Sequence, residues 1–492
     1  MIKAPAVLTI DIGSSSARAA IYDSSGEPVP QCEGRVRYEM RVSQDGGVEA
    51  DPERLAEAVE TAIDHALACP GTSDAQLAGV GVSCFWHSLL GIDSSGRATT
   101  PVYTWEDTRS APMVEALREQ FDESEVHART GCRFHSSYFP AKLLWLRETG
   151  KDSFPRSARW LGFGEYFLGR LFGRHLSSHS MASGTGLYLQ NARSWDAELL
   201  DFLDLDAARF APFAAPGESL RGLRAPYDTR WPKLAPLPWF PALGDGACSN
   251  IGTGCTSPER LALMIGTSGA LRVLREAERV EIPAGLWCYR ADERRFLLGG
   301  ALSNGGLLFS WLRERLQLGD PSELEEKLAA EPADGHGLTF LPFLAGERSM
   351  GWHSEARAAI AGLRVSTRAI EILRAGLEAV ALGCAEIAEA IRSTTPGVRE
   401  VVCSGGGLLH SRTWIGIMAD ALACPVLVSA EEEGSSRGAA LKALEQLGII
   451  RDVREIPAHT GETVPFDPGR AAVYARARER RLELYNMLVG ER

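Results

Sequence analysis

Leu8-Thr-Ile-Asp-Ile-Gly-Ser-Ser-Ser-Ala-Arg18 (LTIDIGSSSAR) carries an apolar, β-branched run into a turn of glycine and three hydroxyls. One carboxylate, Asp11, stands at the tip of the run. About 250 residues later, Leu263-Met-Ile-Gly-Thr-Ser-Gly-Ala-Leu-Arg272 (LMIGTSGALR) repeats the shape, with Met264 in the place of Asp11. Aligned as IGSSSARAAI against IGTSGALRVL, each stretch reads as strand, glycine turn, strand. The same hairpin at the head of each half predicts two copies of one architecture facing each other. Two unrelated Gly/Ser hairpins would give a similar match, because such turns are common.

A chain of 492 residues exceeds the size of a single hydrophobic core, so two or three domains are expected. Hydrophobic residues make up 45% and charged residues 24%, the balance of a soluble globular protein. The net charge of −12 disfavours duplex DNA or an anionic membrane as partner, but leaves room for a nucleotide, which needs only local donors. The ten cysteines are scattered without a C-x-x-C pair, which argues against a zinc site or a disulfide framework and for reduced thiols in a cytoplasm. Cys84, Cys384 and Cys403 sit in apolar runs and are expected in the core. The start, MIKAPAVLTIDIG, reaches Asp11 before an apolar signal region could form. No apolar run approaches the roughly 18 residues of a membrane span.

Residues 7–12, 18–22 and 78–84 read as strands. Between them, Asp51-Pro52 offers an N-cap and a proline at the first helical position, and Leu55, Val59, Ile63 and Leu67 then share one face. Tyr103-Thr-Trp-Glu-Asp107 reads as another strand with a polar end. Residues 207–244 are rich in proline and lack periodicity, and are expected as loops leading to a domain boundary near 245–255. The second half predicts strands at 261–265, 271–274 and 296–299 and helices at 305–317, 367–392, 411–423 and 435–447. The longest of these places Ile370, Leu373, Leu377, Val380, Cys384, Ile387 and Ile391 on one face. Strands alternating with helices predict an α/β fold with mixed sheets.

Backbone N–H groups of such turns converge on anions, and hydroxyls add donors. Gly13, Ser14 and Ser15, and Gly266, Thr267 and Ser268, are therefore candidate phosphate binders, with a plain hairpin as the alternative for each. There is no P-loop G-x-x-x-x-G-K-[ST] and no kinase H-R-D or D-F-G, so a nucleotide would be held in another way. A carboxylate beside phosphate repels it unless a cation intervenes, and Mg²⁺ suits one or two carboxylates with water and phosphate oxygens. Asp11 is the candidate metal ligand; one copy suffices, which makes Met264 tolerable in the other. Asp245, between Gly244 and Gly246, could accept the proton of an alcohol attacking phosphorus, or could belong to an ordinary Asp-Gly turn. Trp86, His87, Trp105, Asp107 and Arg109 concentrate aromatic walls and hydrogen-bonding groups suited to a polyol, although a core histidine satisfied by backbone is the alternative for His87. Asn304 and Gly305, and Gly406, Gly407 and Ser411, lie in glycine turns that leave room for a base or ribose.

In order along nearly the whole chain, these pieces resemble the FGGY carbohydrate kinases of the actin-like ATPase superfamily. Asp11-Ile-Gly-Ser-Ser15 resembles the first phosphate motif, with Ser14 where threonine is usual. Ile265-Gly-Thr-Ser-Gly269 resembles the second, Gly244-Asp-Gly246 the segment of the catalytic aspartate, and Trp86-His87 the sugar-contact pair, often Met-His. Lys142-Leu-Leu-Trp145 is similar to the core of a family signature, and Gly346-Glu-Arg348 to the family's GER, with Met350 near where proline is usual. Gly406-Gly407 with Met418-Ala-Asp420 resembles the adenosine segment. Within the family, Trp86-His-Ser-Leu89, Thr104-Trp-Glu-Asp107, Arg129-Thr-Gly131, Gly164-Glu-Tyr166, Met181-Ala-Ser183 and Ser303-Asn-Gly-Gly306 look most like gluconokinases.

The resemblance implies two actin-like, ribonuclease-H-like domains, 1–246 for sugar and 247–492 for ATP, with a cleft between them. It implies ATP as co-substrate, Mg²⁺ on Asp11, Asp245 as base, the two turns on phosphate, and a cytoplasmic enzyme for which a homodimer is compatible. It implies a sugar or sugar acid as the small-molecule partner and no nucleic acid or membrane. For D-gluconate the product would be 6-phosphogluconate, and Arg109 and Arg133 are candidates for the substrate carboxylate. A xylulokinase or other pentulose or polyol kinase shares all but the pocket. An actin-like ATPase module would share the nucleotide clamp without the sugar chemistry, and a sugar sensor would have no need of an intact Asp11, Asp245 and GTSG turn.

Overall fold

The computed structural model describes residues 3–70 and 75–490; the first two residues of the MIKAPAVLTIDIG start lie outside them. The β-branched runs of the first half build a five-stranded sheet from β1 (Ala6–Ile12), β2 (Ser16–Tyr22), β3 (Pro28–Arg37), β4 (Leu77–Cys84) and β5 (Leu243–Gly244). Its order is β5-β4-β1-β2-β3; β1, β2 and β3 are antiparallel, whereas β4 and β5 continue parallel to β1. The second sheet has seven strands: β6 (Arg260–Ile265), β7 (Gly269–Glu276), β8 (Trp287–Arg290), β9 (Arg295–Leu302), β10 (Glu400–Ser404), β11 (Val426–Ser429) and β12 (Thr460–Val464). They run in the order β8-β9-β7-β6-β10-β11-β12. Here too a meander (β6, β7, β9) is antiparallel and two further strands (β10, β11) are parallel to its first strand. The two sheets thus repeat one topology, as the paired hairpins predict. The hairpins differ in length: Ile12 pairs with Ala17, but Ile265 pairs with Gly269, so the second turn is one residue tighter and the ungapped alignment slips beyond it.

Helices flank both sheets. At α1 (Pro52–Leu67) the Asp51 carboxylate accepts from the amides of Glu53 and Arg54, and Leu55, Val59 and Ile63 are buried. The others that position the site are α2 (Phe139–Thr149), α3 (Asp245–Gly252), α4 (Gly306–Arg315), α5 (Ala369–Thr394), α6 (Gly406–Leu409), α7 (Arg412–Leu422) and α8 (Gly434–Gln446). The strand expected over 103–107 is extended only at Val102–Tyr103. Beyond it the chain turns back, with the Asp107 amide bonded to the Thr104 carbonyl at 3.3 Å.

Two large cores lie on the two sheets, and they are not divided at a single point along the chain. The first core includes Ala440, Leu441, Ala443 and Leu444 of α8, together with Ile450 and Val453. Helix α8 lies on the first sheet, where the Ser436 and Thr9 hydroxyls meet at 2.8 Å. It crosses α3 backbone to backbone: a Cβ at Gly438 would lie 1.8 Å from the Cys248 carbonyl oxygen, and one at Gly252 1.9 Å from that of Gly434. Arg437, fully buried at this crossing, donates to the carbonyls of Gly26 (3.1 Å), Gly252 (2.6 Å) and Pro457 (2.9 Å). The edge strand β8 reaches the other way: the Cys288 amide bonds the Gly131 carbonyl at 3.0 Å and the Arg290 amide the Ser183 hydroxyl at 2.8 Å.

The expectation that all the cysteines are reduced is corrected. Cys32 of β3 and Cys69, just beyond α1, form a disulfide, and the other eight are free and buried. The packing of α1 on β3 brings the two Cα atoms to 5.1 Å across 37 residues, a proximity that spacing alone does not signal. Cys84, Cys384 and Cys403 are core residues as expected. Among the described residues, no helix is long and apolar enough to cross a membrane.

Candidate active site

The register of the first sheet places both singled-out carboxylates at one edge. Asp11 of β1 lies opposite Ser83 of β4, and Ser83 lies opposite Leu243 of β5, two residues before Asp245 opens α3. Asp11 and Asp245 therefore project from positions two strands apart, about 10 Å at the usual strand spacing. Each feels the other's charge. Burial pushes the Asp11 carboxyl up to about 6, and the negative charge of Asp245 adds to this. The Ser83 hydroxyl and the Arg18 and Arg35 guanidinium groups oppose the rise. Burial likewise raises Asp245, offset by the Gly246 amide, which donates to its Oδ1 at 2.9 Å, by Arg272 and by the Trp86 amide. Asp11 makes no ion pair among the described residues; its lone, half-buried carboxylate fits a divalent cation.

The two turns belong to opposite sheets. In the first, the Gly13 amide bonds the Ser16 carbonyl at 3.0 Å, and the Tyr38 hydroxyl donates to the Gly13 carbonyl at 2.6 Å. Ser14 is half-buried and Ser15 exposed. In the second, the Gly266 amide bonds the Ser268 carbonyl at 3.0 Å, leaving Thr267 exposed. The Thr267 carbonyl accepts from the Gly305 (3.1 Å) and Leu307 (3.0 Å) amides, and the Gly266 carbonyl from the Gly306 amide (2.8 Å). A third glycine segment closes in from β10: a Cβ at Gly407 would lie 2.8 Å from the Gly266 oxygen. Three turns distant in sequence thus converge into one backbone-lined floor at the N-termini of α4 and α6.

Two of the predicted nucleotide residues have committed side chains. Asn304 accepts from the Ala345 amide at 3.1 Å and donates to the Gly346 carbonyl at 3.2 Å, which ties the glycine turn to the Gly-Glu-Arg loop. Ser411 caps α7, accepting from the Trp414 amide at 3.1 Å, and bonds Glu325 at 2.9 Å. Both hold the floor in shape.

Beside Asp245 lies an aromatic pocket. Trp86 donates from Nε1 to the Ser180 carbonyl at 3.0 Å, and its ring lies against the backbone of Gly184, Gly244 and Gly246. His87 is held at φ 64°, in the left-handed region that is costly for a residue with a Cβ. Burial lowers its imidazole to about 3. The ring is therefore neutral; its Nδ1–H faces the Gly184 carbonyl at 2.5 Å, which leaves Nε2 as an acceptor. The Tyr138 and Tyr289 rings stand 5.0 and 5.5 Å from it, and their hydroxyls meet at 2.7 Å. Tyr289 arrives on β8, so both halves of the chain build this wall.

Lys142 of α2 explains the signature that surrounds it. Its buried ammonium donates to the carbonyls of His87 (2.7 Å) and Thr104 (2.6 Å), fixing the two loops that carry Trp86–His87 and Trp105. Asp107 and Arg109 are joined to each other instead of standing free: Arg109 Nη2 bonds Asp107 at 2.5 Å and Glu49 at 2.7 Å, and the guanidinium sits over Tyr103 and Trp145. Arg133 pairs with Glu123 at 3.4 Å. Arg348 has no acidic partner among the described residues. It lies 5.9 Å from the Trp105 ring, its Nε is buried without a hydrogen bond, and its charge acts on His87, His135, Tyr138 and Tyr289. Sequence reasoning does not find Tyr138, Tyr289, His135 or the free state of Arg348. The aromatic run His135-Ser-Ser-Tyr138 is the one local signal, and the rest depends on contacts between the halves.

Comparison with known proteins identifies the family. Residues 6–252 match the family model described as FGGY family of carbohydrate kinases, N-terminal domain, and residues 261–446 match the C-terminal domain of the same family. A gluconokinase from Bacillus subtilis is 26% identical over 474 residues, covering 94% of this chain and 91% of its own. The crystal structure of gluconate kinase from Lactobacillus acidophilus superposes with a TM-score of 0.91 at 27% identity over 98% of both chains. A ligand-bound xylulose kinase from the same organism also gives 0.91 at 27% identity, over 99% of both chains. The chain belongs to the FGGY family of carbohydrate kinases and has their two-domain, actin-like fold, with ATP as co-substrate.

Proposed function

We propose that this FGGY carbohydrate kinase phosphorylates the terminal hydroxyl of a sugar acid, D-gluconate, to give 6-phosphogluconate. The observation that carries the reading is the uncommitted Arg348 guanidinium over Trp105, in a pocket where Arg109 and Arg133 are already paired. A planar guanidinium is suited to a carboxylate through paired N–H donors. Trp86, Trp105 and Tyr289 would cover the C–H faces of the sugar while His87 Nε2 accepts from a hydroxyl. The likeness to a gluconokinase and a gluconate kinase supports the same choice.

Asp245 takes the proton of the terminal hydroxyl as its oxygen attacks the γ-phosphorus; the β–γ bridging P–O bond breaks and ADP leaves. Thr267 and Ser268 donate to the γ-phosphate from the turn that the Gly266 amide closes, and the Gly13–Ser15 turn faces the same phosphates from the other sheet. Asp11 would hold Mg²⁺, which neutralises charge on the β- and γ-phosphates when bound. Residues 1–246 carry most of the sugar side, to which residues 247–492, the nucleotide side, add Tyr289 and Arg348. Closure about the α3–α8 crossing excludes water that would otherwise take the phosphoryl group. A cytoplasmic enzyme, as a homodimer, accords with this metabolic role.

A pentulose kinase is the second reading, favoured by the equal superposition of the xylulose kinase. Coupled-enzyme assays with gluconate, xylulose, ribulose and glycerol decide between them. Gluconate should give the highest kcat/KM, and Arg348→Met should raise its KM by about 30-fold or more while moving neutral substrates little. Preference for xylulose, or an unchanged gluconate KM in Arg348→Met, refutes the sugar-acid reading.

A further inference from the structure

Arg272 of β7 is a second guanidinium that the reaction scheme leaves without a task. Its register neighbours are Ala262 of β6 and Gly299 of β9. It is only 6% exposed, its Nε has no hydrogen-bond partner, and it forms no ion pair among the described residues. A buried guanidinium without a bonded acid is expensive, by several kcal/mol in general, so its retention calls for a reason. Two glycines cut a slot for it. A Cβ at Gly299 would stand 2.9 Å from its Cγ, and one at Gly246 would stand 2.6 Å from Nη1. The stem therefore crosses the second sheet at Gly299, and the head ends against the backbone one residue past Asp245. The acidic groups acting on it are the Asp245 carboxyl and the Cys255 thiol. The thiol is held neutral by burial.

The surroundings of Asp245 make this placement matter. The titratable groups facing it are Asp11 from β1, Cys84 from β4, Cys248 on its own helix and Arg272 from the opposite sheet. Burial keeps both thiols neutral, and Asp11 adds negative charge. Incoming ATP adds more. The Gly246 and Trp86 amides favour the carboxylate from its own half, and among the charged groups acting on it Arg272, from the opposite sheet, favours it as well. We infer that Arg272 is a positioning residue, which orients the Asp245 carboxylate across the cleft by a fixed positive charge within its reach. The inference rests on Asp245 being the base, and it links that base to the second sheet, so that proton abstraction is competent when the two halves are in the relation seen here.

The test compares Arg272→Met, Arg272→Lys and Asp245→Asn by steady-state kinetics with gluconate and ATP, alongside thermal melts. Arg272→Gln substitutes if the Met variant does not fold. Arg272→Met should lower kcat by about 30-fold or more, within the range that a misplaced general base costs. Both KM values should stay within about threefold, and the acid limb of the kcat–pH profile should move to higher pH. Arg272→Lys should recover most of kcat. A kcat and acid limb unchanged in Arg272→Met overturns the inference. So does a Lys variant as impaired as the Met variant with both KM values raised, which marks a packing role. Near-normal turnover in Asp245→Asn defeats the base assignment itself, whatever the Arg272 variants do.

Discussion

Gly244→Ala isolates the steric contact between the catalytic segment and the aromatic pocket. Gly244 has φ −67° and ψ 137°, a conformation open to alanine, so backbone strain plays no part. The added Cβ would lie 1.8 Å from Trp86 Cε2 and 2.3 Å from Cζ2, where non-bonded carbons need about 3.5 Å. The indole must retreat by more than an ångström, and its retreat is blocked. On its far side the Gly184 Cα direction is already filled, a Cβ there lying 2.7 Å from Trp86 Cδ1, and the Tyr289 ring stands at 4.8 Å. Overpacking of this kind costs about 1–3 kcal/mol, and loss of the Trp86 Nε1 bond to Ser180 adds about 1. For a domain of this size that is a fall in Tm of about 5–15 °C. Because the Trp86 amide also supports Asp245, kcat should fall together with a rise of about tenfold or more in the sugar KM. ATP KM should hold. Differential scanning calorimetry and initial-rate kinetics measure all of these, with Gly397→Ala, which meets open space, as control. A Gly244→Ala protein melting within about 1 °C of that control and with an unchanged sugar KM would refute the packing argument.

Asp11 makes a pH prediction of definite sign. Its carboxyl is raised in the folded chain to about 6, from an ordinary 3.8, so the proton is bound more tightly folded than unfolded. The stability this contributes is present at low pH and is lost as pH rises through about 6. In metal-free buffer Asp11→Asn should therefore raise Tm at pH 7.5, by the equivalent of at most about 3 kcal/mol, with the gain shrinking towards pH 5. The same variant should lose turnover and its Mg²⁺ dependence; a pH-independent change in Tm would contradict the assignment. Lys142→Met removes two hydrogen bonds and strands the His87 carbonyl, while that of Thr104 keeps the Asp107 amide, a cost of about 2–4 kcal/mol. Its sugar KM should rise with ATP KM unchanged, and an unaltered sugar KM would show that the ammonium does not hold the pocket loops.

The parts of this architecture that are local were legible in the sequence. The Asp11 hairpin, its copy at Met264 and the Asp51 cap are decided by neighbours a few residues apart, and each forms where expected. Residues whose roles depend on distant partners were not. Arg109 carries the charge that a substrate carboxylate would need, but Glu49, 60 residues upstream, has already claimed it. Arg348 is distinguished by what it lacks, which no local pattern states. The Tyr138–Tyr289 hydroxyl pair spans 151 residues, and the Cys32–Cys69 bridge depends on how α1 lies on β3. Even the two glycine turns, correctly paired as a repeat, differ by a residue because each turn is shaped by what lies above it. The Tyr38 hydroxyl reaches into the first, and the Gly305–Leu307 amides crowd the second.

The return of α8 to the first sheet bears on how the chain is made. Ribosomes deliver residue 434 long after residue 252, and at about 5–20 residues per second the gap amounts to some tens of seconds. During that interval the face later covered by Ala440, Leu441, Ala443 and Leu444 stays bare, and the carbonyls that Arg437 will cap have no donor from it. The nascent amino-terminal half therefore keeps an uncovered apolar face until the tail emerges, and a chain stopped upstream of α8 is expected to keep that face bare.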